Sequence, residues 1–397
     1  MKTAQILIVF LALFSVVFAD VWEDTQLNTI QLLRKYGYTA EEYSVTTSDG
    51  YRLGIHRCSG GPVSPPAANK PVAFLMHGQL SSSADYVIMG PQVSLAYMLS
   101  DLGYDVWMGN SHGNRYSNTH TSLNNETKAY WDFSWHEIGS IDVPTMIDYI
   151  LARTGQRNLH YIGHSMGTTV YFVMISEKPA YASKLRSVNL LAPATYMTYI
   201  VTPYVRWIAA YAYTWDLMFN MMGTYYFAPT DEMDKQAAYN DCRDGAPYQE
   251  MCAIQIFLIA GWNSQETNRT MLPVMNAHSP AGASMMNMLH YAQIVRSGIF
   301  QQYDHGVNNI YRYGQLTPPL YRFTGHTAPL HLFWSTNDWM ATPADVSTLY
   351  NRLGGSSVVD LFYHVPQVEW NHMDFVWGIN VRRLVYNRMV EEMRKYD

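Results

Sequence analysis

Charge is scarce in this chain: only 15% of its 397 residues are charged, and no basic block occurs anywhere. A formal net charge of −6 argues against a nucleic-acid partner, because such partners demand clustered Lys and Arg. Cysteine is scarce as well. Cys58, Cys242 and Cys252 are too few for a scaffold built on disulfides. Cys242 and Cys252 stand close enough to close a small loop around Gly245-Ala246-Pro247, which an oxidising compartment would permit. Cys58 is then left over as a buried thiol. The metal patterns His-Glu-x-x-His, His-x-His and clustered Cys/His do not occur, and neither does a Gly-rich dinucleotide loop. No metal and no cofactor are therefore expected. Past the N-terminus no apolar run approaches the roughly 20 residues that span a bilayer. The mature chain is read as having no transmembrane segment. Repeats and low-complexity tracts are also missing.

What is present is apolar. With 48% hydrophobic residues, the chain can bury one large core, or a core with an inserted subdomain. Lys2 precedes an apolar stretch over residues 6–18, and small Val17 and Ala19 follow the pattern of a cleavage site. Residues 1–19 read as a signal peptide, with the mature protein beginning near Asp20. The sequons Asn125-Glu-Thr and Asn268-Arg-Thr are glycan acceptors where exposed. These features agree with secretion, and a lysosomal destination is the alternative.

Short apolar runs recur at 71–76, 105–108, 159–163, 188–191, 330–334 and 358–363. Segments of helical spacing, such as 93–102 and 143–151, separate several of them. This alternation predicts an α/β fold with a largely parallel sheet covered on both faces. A hairpin over residues 42–57 turns at Ser48-Asp49-Gly50. The rhythm fails over residues 196–319, which hold nearly half of the 23 Met. That segment is read as an inserted cap, and its Met stripes as helical core or as a soft apolar surface facing lipid. Residues 20–195 and 320–397 then form the main domain.

Gly163-His164-Ser165-Met166-Gly167 fits the G-x-S-x-G elbow between a strand and a helix, which exposes the Ser165 hydroxyl above the sheet. Serine needs a base, and the chain order for this arrangement is Ser, then acid, then His. Asp338 follows the run at 330–334, and His372 follows the last run. Asp360 and His364 are the rivals, both read as lying inside a strand. Two main-chain N–H groups are needed for the oxyanion. Met166 supplies one and Gln79, in His77-Gly78-Gln79, the other; His77 is read as holding that loop.

These residues resemble the acid lipase family, which includes gastric and lysosomal acid lipases. The resemblance rests on Glu42-Tyr-Ser-Val-Thr-Thr-Ser-Asp-Gly-Tyr-Arg-Leu, Gly109-Asn-Ser-His-Gly-Asn-Arg-Tyr-Ser, Tyr130-Trp-Asp-Phe-Ser-Trp-His-Glu-Ile-Gly, the stretch from Thr154 to Gly167, and the segments around Asp338 and His372. It implies an α/β-hydrolase fold with a mainly helical cap, hydrolysis of triacylglycerol or cholesteryl ester, and a lipid–water interface as the working surface. It carries the triad onto Ser165, Asp338 and His372, the oxyanion donors onto Gln79 and Met166, and a cap disulfide onto Cys242 and Cys252. The chain departs from the pattern at Gln79 and Met166, where polar and apolar residues are exchanged, and at His112, where the family carries Arg. The other readings are a lipid-binding or yolk-type protein without catalysis, and an esterase or acyltransferase for smaller esters.

Overall fold

A computed structural model describes residues 20–397; the expected signal peptide lies outside the described residues. Eight strands run edge to edge in the order β1 (Thr39–Thr46), β2 (Tyr51–Gly60), β4 (Asp105–Gly109), β3 (Val72–Met76), β6 (Leu159–His164), β7 (Leu185–Leu191), β10 (Leu330–Trp334) and β11 (Leu361–His364), and short β5 (Thr119–His120) pairs with β2. From β4 to β11 every neighbouring pair is parallel, whereas β1 and β2 are antiparallel additions at one edge. The sheet is therefore mostly parallel, as the alternating pattern predicts.

Parallel strands covered on both faces need apolar residues at nearly every position. All five residues of β3 are buried. Ala73 and Leu75 join one core with Val106, Ile162 and Phe333, while Val72, Phe74 and Met76 face the other with Trp107, Tyr161 and Leu332. Each fully buried large side chain contributes about 1.5–3 kcal/mol, so the two faces together set the sheet's register. The last strand starts later than its sequence suggests. Gly355–Ser357 forms a 3-10 turn, and Val358, Val359 and Asp360 lead into the strand from it. Asp360 thus precedes β11, and His364 ends it.

Helices α1 (Val21–Gln26) and α2 (Thr29–Lys35) open the described chain; α3 (Leu95–Asp101), α4 (Val143–Thr154) and α5 (Met166–Glu177) connect strands. Between β7 and β10 lie α6 (Pro203–Ala210), α7 (Ala212–Met222), α8 (Glu232–Cys242), α9 (Gln249–Ala260), α10 (Leu272–His278) and α11 (Met285–Ser297). One antiparallel pair, β8 (Tyr226–Pro229) with β9 (Ala281–Ser284), interrupts them. α12 (Pro343–Leu353) returns the chain to the sheet. A Cys242–Cys252 disulfide joins α8 to α9. Cys58 is free and buried, and burial pushes its thiol up to about 11.

The Met residues of this segment divide between both readings. Met271, Met275 and Met285 are core, whereas Met221, Met222 and Met233 are exposed. One half of the segment is pinned. Trp22 of α1 meets Tyr239 of α8 at 4.8 Å between ring centroids, and His278 Nε2 lies 3.2 Å from Asp24 O. Asp345 of α12 accepts from Thr198 N and Tyr199 N, both at 2.9 Å, where the chain leaves the sheet.

Candidate active site

Every candidate group sits beyond the carboxyl end of a parallel strand, the usual place for ligands in such sheets. β6 ends at His164 and α5 begins at Met166, leaving Ser165 alone on the turn at φ +52°, ψ −115°. That backbone region disfavours side chains, and close packing enforces it. A Cβ on Gly167 would lie 2.2 Å from Met76 O, and one on Gly163 would lie 2.6 Å from Gly167 O. Ser165 N donates to Leu191 O at 3.0 Å, and Ser165 O accepts from Thr168 N at 2.8 Å. The hydroxyl is thereby held at the N-terminus of α5, where developing negative charge is favoured.

The structure brings the three candidate side chains together. His372 Nε2 is 2.7 Å from Ser165 Oγ, and His372 Nδ1 is 2.8 Å and 3.0 Å from the two oxygens of Asp338. A carboxylate accepts only, so Nδ1 carries the proton and Nε2 is left as the acceptor. Asp338 Oδ1 also accepts from Met340 N at 2.9 Å and Ala341 N at 2.8 Å, which fixes the carboxylate plane. Exposure is 5% for Ser165, 2% for His372 and 1% for Asp338. The site is covered. His164 donates from Nε2 to His372 O at 3.0 Å, and burial beside His372 lowers it to about 3, so it stays neutral.

The rivals lie elsewhere. Asp360 Oδ2 accepts from Leu330 N at 2.9 Å, at the amino end of β10. His364 pairs with Thr336 Oγ1 at 2.8 Å.

The Gly78–Gln79 main chain abuts Ser165, since a Cβ on Gly78 would lie 3.7 Å from Ser165 Oγ. His77 anchors this loop. Its Nδ1 donates to Gly78 O at 2.7 Å, and its Nε2 accepts from Ser111 N at 3.1 Å. Burial depresses it to about 4, so it holds the loop as a neutral ring. Leu80 O accepts from Ala281 N of β9 at 2.7 Å, and Gln79 Nε2 reaches Met288 Sδ of α11 at 3.3 Å. The segment between β7 and β10 therefore packs directly on the Gly78–Leu80 loop. His112 is buried with Asp142 at 2.6 Å, its ring against Tyr51 and Phe133. A cavity of about 540 Å³ opens on another side of α11, lined by Phe219, Tyr225, Met285, Leu289 and Tyr303, with Arg312 at its edge. No triad candidate lines it.

Behind His372 lies an acid that the sequence does not single out as functional. Asp374 Oδ2 accepts from Asn371 N at 2.8 Å and Asn263 Nδ2 at 2.7 Å. Burial pushes its carboxyl up to about 8, helped by Glu266 and Asp338. An unfolded Asp titrates near 3.9, so the folded state holds this proton across the interval. Its contribution to stability is complete below about pH 4 and is lost as pH rises through about 8. Asp374→Asn mimics the protonated acid. The melting temperature of that variant should gain on wild type as pH goes from 5 to 8; a constant difference would refute this.

Residues 29–90 match the family model described as a partial alpha/beta-hydrolase lipase region, and residues 72–378 match the alpha/beta hydrolase fold. Lipase 3 of Drosophila melanogaster is 43% identical over 362 residues, covering 91% of each chain. The gastric triacylglycerol lipase of Rattus norvegicus is 34% identical, covering 93% of this chain and 92% of its own. The lysosomal acid lipase/cholesteryl ester hydrolase of Macaca fascicularis is 33% identical, covering 94% and 92%. Likeness of this extent, on this sheet and around this elbow, makes the chain a member of the acid lipase family of α/β-hydrolases.

Proposed function

We propose that the protein is a secreted serine lipase that hydrolyses neutral lipid esters, triacylglycerol or cholesteryl ester, at a lipid–water interface. The observation that carries this reading is the continuous chain from Ser165 Oγ through His372 to Asp338, 2.7 Å and 2.8 Å long at its two links. His372 Nε2 takes the hydroxyl proton as Ser165 attacks the ester carbonyl. The tetrahedral oxyanion is met by the amides of Gln79 and Met166. His372 returns the proton to the leaving alcohol, Asp338 stabilises the imidazolium, and water repeats the cycle on the acyl-enzyme.

The chemistry of a lipid surface fits the cap. Residues 20–195 and 320–397 form the catalytic domain in this reading, and 196–319 the cover over it. Tyr199, Trp207, Tyr211, Leu217, Met221 and Met222 are all more than half exposed, and exposed apolar side chains gathered in one short segment favour an interaction surface. This face is the part of the cap that would meet lipid. Asn125 is exposed and Asn268 half-exposed, as glycan acceptors on a secretory or lysosomal route require. The Cys242–Cys252 bridge suits the same oxidising compartment.

The test is hydrolysis of emulsified trioleoylglycerol and cholesteryl oleate beside a soluble short-chain ester. Turnover should be greatest on the emulsions. Combined Leu217→Ser, Met221→Ser and Met222→Ser should raise the apparent KM on emulsion about tenfold or more, since each apolar side chain withdrawn from lipid forfeits about 1.5–3 kcal/mol at full burial, and should spare the soluble ester. Activity confined to the soluble ester would overturn the lipase reading.

A further inference from the structure

The cap does more than cover the site. Where α9 ends, the carbonyl of Ala260 accepts two amides, Trp339 N and His372 N, each at 3.2 Å. One belongs to the residue after the triad acid, and the other to the triad histidine itself. The next residues continue the join. Gly261 O accepts from Asn371 Nδ2 at 3.0 Å, and Trp262 O accepts from Asn337 Nδ2 at 2.9 Å. Asn263 Nδ2 donates to Asp374 at 2.7 Å. Four consecutive cap residues thus bridge the acid loop and the histidine loop.

Gly261 makes this approach sterically feasible. Its φ of +113° and ψ of 155° lie in a region open essentially to glycine alone. A Cβ there would stand 2.2 Å from Asn337 O, 3.0 Å from Trp339 Cδ1 and 3.3 Å from Asn371 Cβ. The backbone oxygen of Asn337 cannot retreat without moving Asp338, its neighbour. The bracket is also fixed from behind, because the disulfide ties α9 to α8 and α8 packs on α1 through Tyr239 and Trp22. On the far side, His372 O is held by His164, next to the nucleophile. The main chain of the histidine is therefore suspended between the cap and the elbow.

We infer that Gly261 is a positioning residue for ester hydrolysis: the Ala260–Gly261 turn of the cap sets the spacing of the Asp338 and His372 loops, so the cap completes the triad as well as sheltering it. The inference rests on the triad reading above. A histidine that must meet Ser165 and Asp338 together tolerates little displacement, and about 1 Å of misplacement lowers rate about 100-fold.

The test uses the full-length secreted protein, a soluble short-chain ester and a soluble organophosphonate, so that interface binding plays no part. Gly261→Ala is compared with Gly245→Ala, a cap glycine at φ +77° with nothing within 4 Å of its added Cβ. Gly261→Ala should lower kcat by about 100-fold and slow phosphonate labelling in parallel, with KM little changed. Gly245→Ala should do none of this. A Gly261→Ala enzyme with near-normal kcat, or one whose loss lies in KM while phosphonate labelling keeps its wild-type rate, overturns the inference. Should Gly261→Ala not accumulate as folded protein, Asn337→Ser decides by the same readouts, since it removes the side-chain strut to Trp262: a fall in kcat with slowed labelling and little change in KM upholds the bracket, and unaltered kcat and labelling refute it. Ser165→Ala separates the two levels. Turnover persisting in that variant removes the triad reading and the bracket together, whereas a dead Ser165→Ala beside a normal Gly261→Ala removes the bracket alone.

Discussion

Ser165→Ala should abolish ester hydrolysis, lowering kcat by about 10⁶-fold, the scale on which loss of a serine nucleophile acts in enzymes of this mechanism. The fold should be indifferent to the change. Ser165 Oγ has His372 as its hydrogen-bond partner, and the backbone bonds from Ser165 N and to Ser165 O do not depend on the side chain. Alanine occupies the same strained φ without added bulk. The check is turnover on soluble and emulsified esters, with a thermal melt alongside. Melting within a few degrees of wild type together with lost turnover supports a nucleophile; substantial remaining turnover would transfer that role elsewhere.

Asp338→Asn is the second large effect, about 10⁴-fold in kcat, and its cause is the tautomer. The amide oxygen of an asparagine can still accept from Met340 N and Ala341 N as Asp338 Oδ1 does. Its NH₂ then faces His372 Nδ1. Two donors cannot share that bond, so Nδ1 becomes the acceptor and the proton moves to Nε2. The ring then donates to Ser165 instead of accepting from it, and the serine has no base. Phosphonate labelling should fall with turnover, while KM for a soluble ester should stay near wild type. Labelling at the wild-type rate would rule out Asp338 as the orienting group.

Much of this architecture is legible in the residues because its physics is local. Strands buried on both faces are apolar at most positions, so β3, β4, β6, β7 and β10 stand out as runs. The elbow is legible because Gly163 and Gly167 have backbone where a side chain would go. The last strand is misjudged at its start because Val358 and Val359 are as apolar as strand residues, and only the preceding 3-10 turn keeps them out of the ladder. The segment between β7 and β10 resists such reading. α9, Gln-Glu-Met-Cys-Ala-Ile-Gln-Ile-Phe-Leu-Ile-Ala, is apolar on most sides and has no distinct face, and β8 and β9 become strands only through each other. The acceptor in the Ala260 bracket is a main-chain carbonyl, which no residue type announces. Gly261 by itself reads as the ordinary glycine that follows a helix. Asp374 is visible as a residue, but its raised proton affinity comes from burial beside Glu266, 108 positions away in the sequence.

The contact between Ser165 and His372 joins residues 207 positions apart, and that distance is also a delay. A ribosome adding about 5–20 residues per second needs roughly 10–40 s to travel from the serine codon to the histidine codon. The elbow, built from adjacent strand and helix, can form early in that interval. In the proposed mechanism its serine then sits finished but without a base, so the nascent chain stays inert until the later loop that carries His372 closes.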